Sequence, residues 1–193
     1  MRSTKLQILV EGAVMAALAT VLSFIPIIQM PWGGTVTLLS MLPIVIFSIR
    51  RGLKAGFAVS LLYGLIQFAQ GAMKGLFGWG LTPAMLIACI FLDYIGAYAV
   101  LGIAGIFRNR KFPGWMGGIV LAVGLRFLCH FLSGVVVWQS VGELWTGFST
   151  DNTYLYSFLY NGVYMLPELI LTLAGAAALL KLPQTKKLIL LPE

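Results

Sequence analysis

The chain has 193 residues, 60% of them hydrophobic and 10% charged, with a mean hydropathy of +0.95 and a formal net charge of +7. Soluble domains average roughly 45–50% apolar and ~25% charged residues, so the composition excludes a soluble globular protein and points to an all-α integral membrane protein. The positive charge does not point to nucleic acid, because the basic residues gather at helix ends instead of covering one soluble face.

A membrane-spanning helix needs ~20 mostly apolar residues, and six such segments nearly exhaust the length, leaving one domain over 1–193. The first, 6–27, follows basic residues as a signal peptide would, but it reaches Pro26 without a small-residue cleavage site and reads as a retained helix. Its inner third holds Glu11, with Ala13 and Ala17 one turn apart on a surface that another helix can approach closely. The link 26–35 contains Pro31, Trp32, Gly33 and Gly34, a turn-rich stretch that could act as a lid. Segment two, 36–49, is short for a span and contains Pro43. Arg50, Arg51 and Lys54 mark a water-facing loop before segment three, 53–72. The glycine-rich stretch 70–80 offers Phe77 and Trp79 as interfacial anchors.

Segment four, 81–107, carries Asp93 and Tyr94 near its middle and closes on Arg108, Arg110, Lys111 and Pro113. Segment five, 115–138, places Arg126, His130, Gly134 and Trp138 at four-residue intervals. On a regular helix these drift about 40° per step and share one slowly winding stripe. The stripe suits either the wall of a binding cavity or a helix-packing seam. A polar connection, 139–153, leads to segment six, 154–180, with Tyr156 and Asn161 near its start and Pro167 and Glu168 further in. Cys89 and Cys129 lie in apolar runs, with neither a disulfide framework nor metal-ligand spacing.

On a six-span topology, 11 of the 13 basic residues fall on one side. The positive-inside rule assigns that side, with both termini, to the cytoplasm. His130, Gly134 and Trp138 then occupy the outer half of the membrane, level with Tyr156 and Asn161, and Asp93 lies near mid-membrane. Charged residues at such depth cost at least ~2.5–3.5 kcal/mol on insertion scales and face protein, water or ligand. An outward pocket with a carboxylate, several aromatic rings, a histidine and an amide suits a small planar cation. Arg126 and Glu168 could instead neutralise one another deeper in the bundle.

These residues resemble the thiamine-specific substrate-binding component of energy-coupling-factor vitamin transporters. The resemblance rests on Glu11 with Ala13 and Ala17, Ser-Ile-Arg-Arg-Gly at 48–52 and Leu-Asp-Tyr at 92–94. It continues through His130, Gly134 and Trp138 to Tyr156, Asn161-Gly162 and the following Tyr-Met-Leu-Pro-Glu. It implies a plasma-membrane protein of six helices that binds thiamine from outside with high affinity and needs no cofactor. Trp138 and His130 would lie against the thiamine rings, Gly134 would leave room for them, and Tyr156 and Asn161 would complete the polar contacts. Asp93 would supply the acid, where some relatives carry glutamate, and Tyr94 a hydroxyl. Trp32 resembles the family's loop aromatic over the site.

The sequence contains no G-x-x-x-x-G-K-[ST] phosphate loop. The resemblance accordingly implies partners, a transmembrane coupling protein and two ATPase subunits, that dock on the Ala13 and Ala17 face. Competing readings are a binding component for another vitamin, such as riboflavin, an intramembrane enzyme and a scaffold without ligand. Asp93 with Trp138 favours a cation over neutral riboflavin. One histidine is too few for a metallohydrolase, and Cys129, adjacent to His130, points about 100° away from it on a helix. A scaffold would leave the outer polar cluster unexplained.

Overall fold

The computed structural model describes residues 4–31 and 33–184. Among these, six helices carry the fold: α1 (Thr4–Ser23), α2 (Leu42–Arg51), α3 (Leu53–Met73), α4 (Pro83–Phe107), α5 (Lys111–Trp138) and α6 (Thr153–Lys181). All but α2 are long and apolar enough to cross a membrane. The chain is therefore a mostly helical membrane protein with five long helices and one short one. Two antiparallel hairpins join them: β1 (Pro26–Gln29) with β2 (Thr35–Thr37) between α1 and α2, and β3 (Gly142–Trp145) with β4 (Phe148–Thr150) between α5 and α6. A single 3-10 turn, Leu76–Gly78, lies between α3 and α4.

Most segment boundaries expected from hydropathy hold to within a few residues, and the exceptions have local causes. The first helix ends at Ser23 and not at 27, because Pro26 opens a strand paired with Thr37. Val36 and Thr37 belong to that hairpin, so the second helix begins only at Leu42, with Pro43 in the first turn, where its missing N–H costs nothing. The fifth helix begins at Lys111, earlier than expected, and accommodates Pro113 in its first turn for the same reason.

Ten residues of α2 rise about 15 Å, half of a ~30 Å hydrocarbon core. The helix compensates by sitting at the centre. Every residue from 42 to 49 is buried, with Phe47, Ile44 and Val45 fully enclosed. A helix apolar on all faces needs neighbours on all faces, and α1, α3, α4 and α6 supply them. Gly52 makes the one-residue turn into α3 at φ +84°, where a Cβ would also meet the Arg108 side chain. Glu11 of α1 pairs with Arg50 (2.9 Å) and Arg51 (2.7 Å) at the same end.

The helix ends bring Arg50, Arg51, Lys54, Arg108, Arg110, Lys111 and Lys181 to one end of the bundle. Arg2, Lys186 and Lys187 lie outside the described residues. Both long rods are irregular, and α4 also tightens into a 3-10 stretch over Val100–Phe107 beside the basic end. α4 widens into a π turn over Ile90–Ile95, and α5 finishes in another over Gly134–Trp138, where Gln139 N–H donates to the Gly134 carbonyl at 2.9 Å. Single π turns inside helices concentrate at functional sites, and these two carry Asp93, Tyr94, Gly134 and Trp138.

Candidate functional site

A cavity of about 570 Å³ opens between α4, α5, α6 and the first hairpin, within the ~300–1,000 Å³ usual for small-molecule sites. Asp93, Tyr94, His130, Gly134, Trp138, Tyr156 and Asn161 all line it. Spacing alone had put three of these on a stripe, and the π turn explains why the stripe survives to its end. On a regular helix four residues overshoot a full turn. An i→i+5 turn winds more slowly, so the step from Gly134 to Trp138 falls short and returns the indole to the same wall.

Asp93 is the hub. Its Oδ1 lies 3.0 Å from His130 Nδ1, and its Oδ2 accepts from Ser133 Oγ (2.5 Å), Trp138 Nε1 (3.2 Å) and, more weakly, Cys89 Sγ (3.4 Å). The Arg126 Nε–H points to His130 Nε2 at 3.4 Å. Arginine can only donate, so Nε2 is the acceptor and His130 Nδ1 carries the hydrogen that it gives to Asp93. One chain of hydrogen bonds thus runs from guanidinium through imidazole to carboxylate, fixing both the histidine tautomer and the Trp138 ring. Trp79, from the α3–α4 connection, meets Trp138 edge-on at 5.4 Å between centroids and also lines the cavity.

Gly134 is a close-approach position. A Cβ there would collide with Ser157 Oγ and reach the Asn161 amide. Without it, α6 comes near enough for Ser157 Oγ to donate to the Phe131 carbonyl at 2.8 Å and for Asn161 Nδ2 to donate to the His130 carbonyl at 3.4 Å.

Arg126 and Glu168 feel one another's charge but do not touch. Among the described residues no ion pair joins them. The Arg126 guanidinium lies over the Tyr98 ring, 4.2 Å from its centroid. Glu168 Oε1 instead accepts from the Thr37 N–H (2.6 Å) and Thr37 Oγ1 (2.7 Å), which anchors β2 to α6. Both residues line the cavity. Tyr160 and Tyr164 were missed as well, although four-residue spacing from Tyr156 signals them. Thr37 and Ser40 carried no such signal, because the contact between Thr37 and Glu168 joins positions 131 apart.

Trp32 lies outside the described residues, while its neighbours Gly33 and Gly34 line the cavity. Ala13 and Ala17 are not part of the cavity. Both are exposed on the outer side of α1, whereas Ala16 and Ala19 are buried. Among the described residues no group of three His, Cys, Asp or Glu side chains is placed to hold a metal ion.

Long apolar helices enclosing an aromatic cavity with a saturated carboxylate at its wall define a multi-pass membrane protein built to hold a small organic ligand. The family model described as thiamine transporter protein matches residues 9–188, and the chain belongs to that family. It is therefore a transport protein of the cell membrane and not an enzyme. It is 33% identical over 184 positions to the thiamine transporter ThiT of Bacillus subtilis (strain 168), covering 88% of each chain. To ThiT of Lacticaseibacillus paracasei it is 26% identical over 194 positions, covering 91% of this chain and 88% of the relative. A solved structure of ThiT from Listeria monocytogenes superposes with a TM-score of 0.77 at 27% identity, covering 97% of this chain and all of the other. The family resemblance read from the motifs is thereby borne out.

Proposed function

We propose that the chain is the high-affinity thiamine-binding component of an energy-coupling-factor importer, taking thiamine from the extracellular side into the cavity around Asp93. The observation that carries this reading is the composition of the cavity wall: two carboxyl groups, Asp93 and Glu168, against one guanidinium, Arg126, among tyrosine and tryptophan rings. An excess of acid with aromatic faces suits a flat organic cation, and thiamine couples a cationic thiazolium to an aminopyrimidine. Trp138, His130, Tyr94, Tyr156 and Asn161 are assigned to ligand contact, Gly134 to clearance and Trp32 to the lid. Asp93 acts mainly through its charge and by orienting His130 and Trp138, since its oxygens already receive four protein donors.

The basic end of the bundle faces the cytoplasm by the positive-inside rule. This orientation gives six spans with both termini inside, α2 crossing with help from β2, and a cavity open to the outside. A transmembrane coupling protein docks on Ala13 and Ala17 of α1, and two ATPase subunits supply the energy. Titration of the detergent-purified chain with thiamine, followed by tryptophan emission, tests the ligand assignment. Quenching that saturates with thiamine and disappears in Trp138→Ala is expected. Unchanged affinity in Trp138→Ala would place the ligand elsewhere, and saturation by riboflavin in preference to thiamine would change the vitamin.

A further inference from the structure

Far from the cavity, the turn from α4 into α5 concentrates positive charge. Arg108, Arg110 and Lys111 fall within four positions and are all exposed. Lys181, exposed at the end of α6, reaches the same corner, its Nζ 5.1 Å from the centroid of the Phe112 ring. The Arg110 guanidinium lies 5.9 Å from the Phe107 centroid, and Trp115 Nε1 donates to the Arg108 carbonyl at 2.8 Å, so aromatic residues hold the turn in place. Among the described residues the only carboxylate at this end of the bundle is Glu11, which Arg50 and Arg51 both engage. No acid of the described chain is left to meet the four cations of the corner.

The face of α5 that runs away from this corner is apolar and smooth. Pro113, Gly117, Val120 and Gly124 recur at the spacing of one helix face, and all four are exposed. A Cβ at Gly117 or Gly124 would meet no atom within 4 Å, so the two glycines leave a shallow strip along the helix. In a membrane-spanning bundle such a strip lies against acyl chains, while the basic corner lies at headgroup level. Basic clusters just outside a spanning helix draw anionic lipids. We propose that this corner binds an anionic phospholipid, with its phosphate among Arg110, Lys111 and Lys181 and one acyl chain along Gly117 and Gly124. An acidic protein surface would use the charge alone, and the apolar strip directly beneath it is what favours a lipid. The site belongs to α5 and α6, whereas α1 packs chiefly on α2 and α3, so a lipid here leaves the α1 face open. Neither the corner nor the strip depends on which vitamin fills the cavity.

Native mass spectrometry of the detergent-purified chain, titrated with dioleoyl phosphatidylglycerol and with dioleoyl phosphatidylcholine, tests this with identical acyl chains. The parent should retain the anionic lipid at concentrations roughly tenfold or more below the zwitterionic one, since each Lys or Arg near the surface contributes to the attraction. Added salt should shrink that preference by screening. A variant combining Arg110→Gln, Lys111→Gln and Lys181→Gln should hold both lipids alike, with its unfolding midpoint and its response to thiamine unchanged. Lys74→Gln, at the other end of the bundle, should keep the parental preference. Gly117→Leu with Gly124→Leu fills the strip and should weaken the dioleoyl lipid several-fold. Equal retention of the two lipids by the parent would overturn the inference, as would an undiminished preference in the triple variant. Loss of uptake in that variant with its lipid preference intact would give the corner to an acidic protein partner. Displacement of the lipid by excess glycerol 1-phosphate would reduce the corner to a site for free anions and overturn the assignment to a lipid.

Discussion

The two carboxylates of the cavity are built in opposite ways. Asp93 sits in a π turn of α4 and is saturated by side chains of its own helix and of α5. Glu168 sits in regular α6, is held on one oxygen by a hairpin residue far away in sequence, and leaves the other oxygen bare among the described residues. A saturated carboxylate spends its hydrogen-bonding capacity on fixing neighbours and contributes its charge to the ligand at a distance. The other spends its bonds on anchoring the first hairpin to α6. Asp93 and Glu168 therefore tie different parts of the cavity wall together, Asp93 the α4–α5 side and Glu168 the hairpin–α6 side.

Substitutions that break the first arrangement should have the largest effects. Asp93→Asn removes the charge and also places an amide N–H among four donors, so thiamine affinity should fall about a hundredfold or more, since hydrogen bonds to charged groups are worth about 1.5–3 kcal/mol and stranded donors add to the loss. Calorimetric titration measures this, and an affinity within threefold of the parent would make Asp93 purely structural. Gly134→Ala tests the spacing between the two walls. The new methyl meets Ser157 Oγ, and overpacking of this kind typically costs about 1–3 kcal/mol, so thiamine affinity should drop about tenfold and the unfolding midpoint should fall. Parental values of both would mean that α5 and α6 separate freely at this level.

Smaller effects sharpen the distinction. Thr37→Val deletes one of the two hydrogen bonds to Glu168 Oε1 and the one shared with Ser40 Oγ, each worth about 1 kcal/mol. A several-fold loss of thiamine affinity is expected, and a loss as large as that of Asp93→Asn would erase the difference between the two carboxylates. Ala17→Trp marks the lower bound. Its side chain is on the exposed face of α1, so binding by the isolated chain should be unchanged while uptake fails in cells that supply the partner subunits. Parental uptake at equal expression would remove α1 from the docking surface.

Hydropathy made the long helices legible because each is a near-continuous apolar run bounded by basic residues or turn formers. The stripe through His130, Gly134 and Trp138 was legible because helical periodicity puts such residues on one wall. The hairpins were not, since strands of three or four residues are held by backbone hydrogen bonds that ask little of side chains. Nor was the real partner of Glu168. Sequence offered Arg126, the nearest opposite charge along a helical wall, whereas the fold delivers Thr37 from a hairpin that only tertiary packing positions. Tyr160 and Tyr164 were within reach of the same periodicity rule that found the α5 stripe, applied one helix later.

Calorimetric titration of the parent, Asp93→Asn and Glu168→Gln with thiamine tests most directly whether the Asp93 hub forms the ligand site. Asp93→Asn should weaken thiamine about a hundredfold or more, whereas Glu168→Gln, which keeps an acceptor for Thr37, should weaken it far less. A larger loss in Glu168→Gln than in Asp93→Asn would contradict the placement of the ligand beside Asp93.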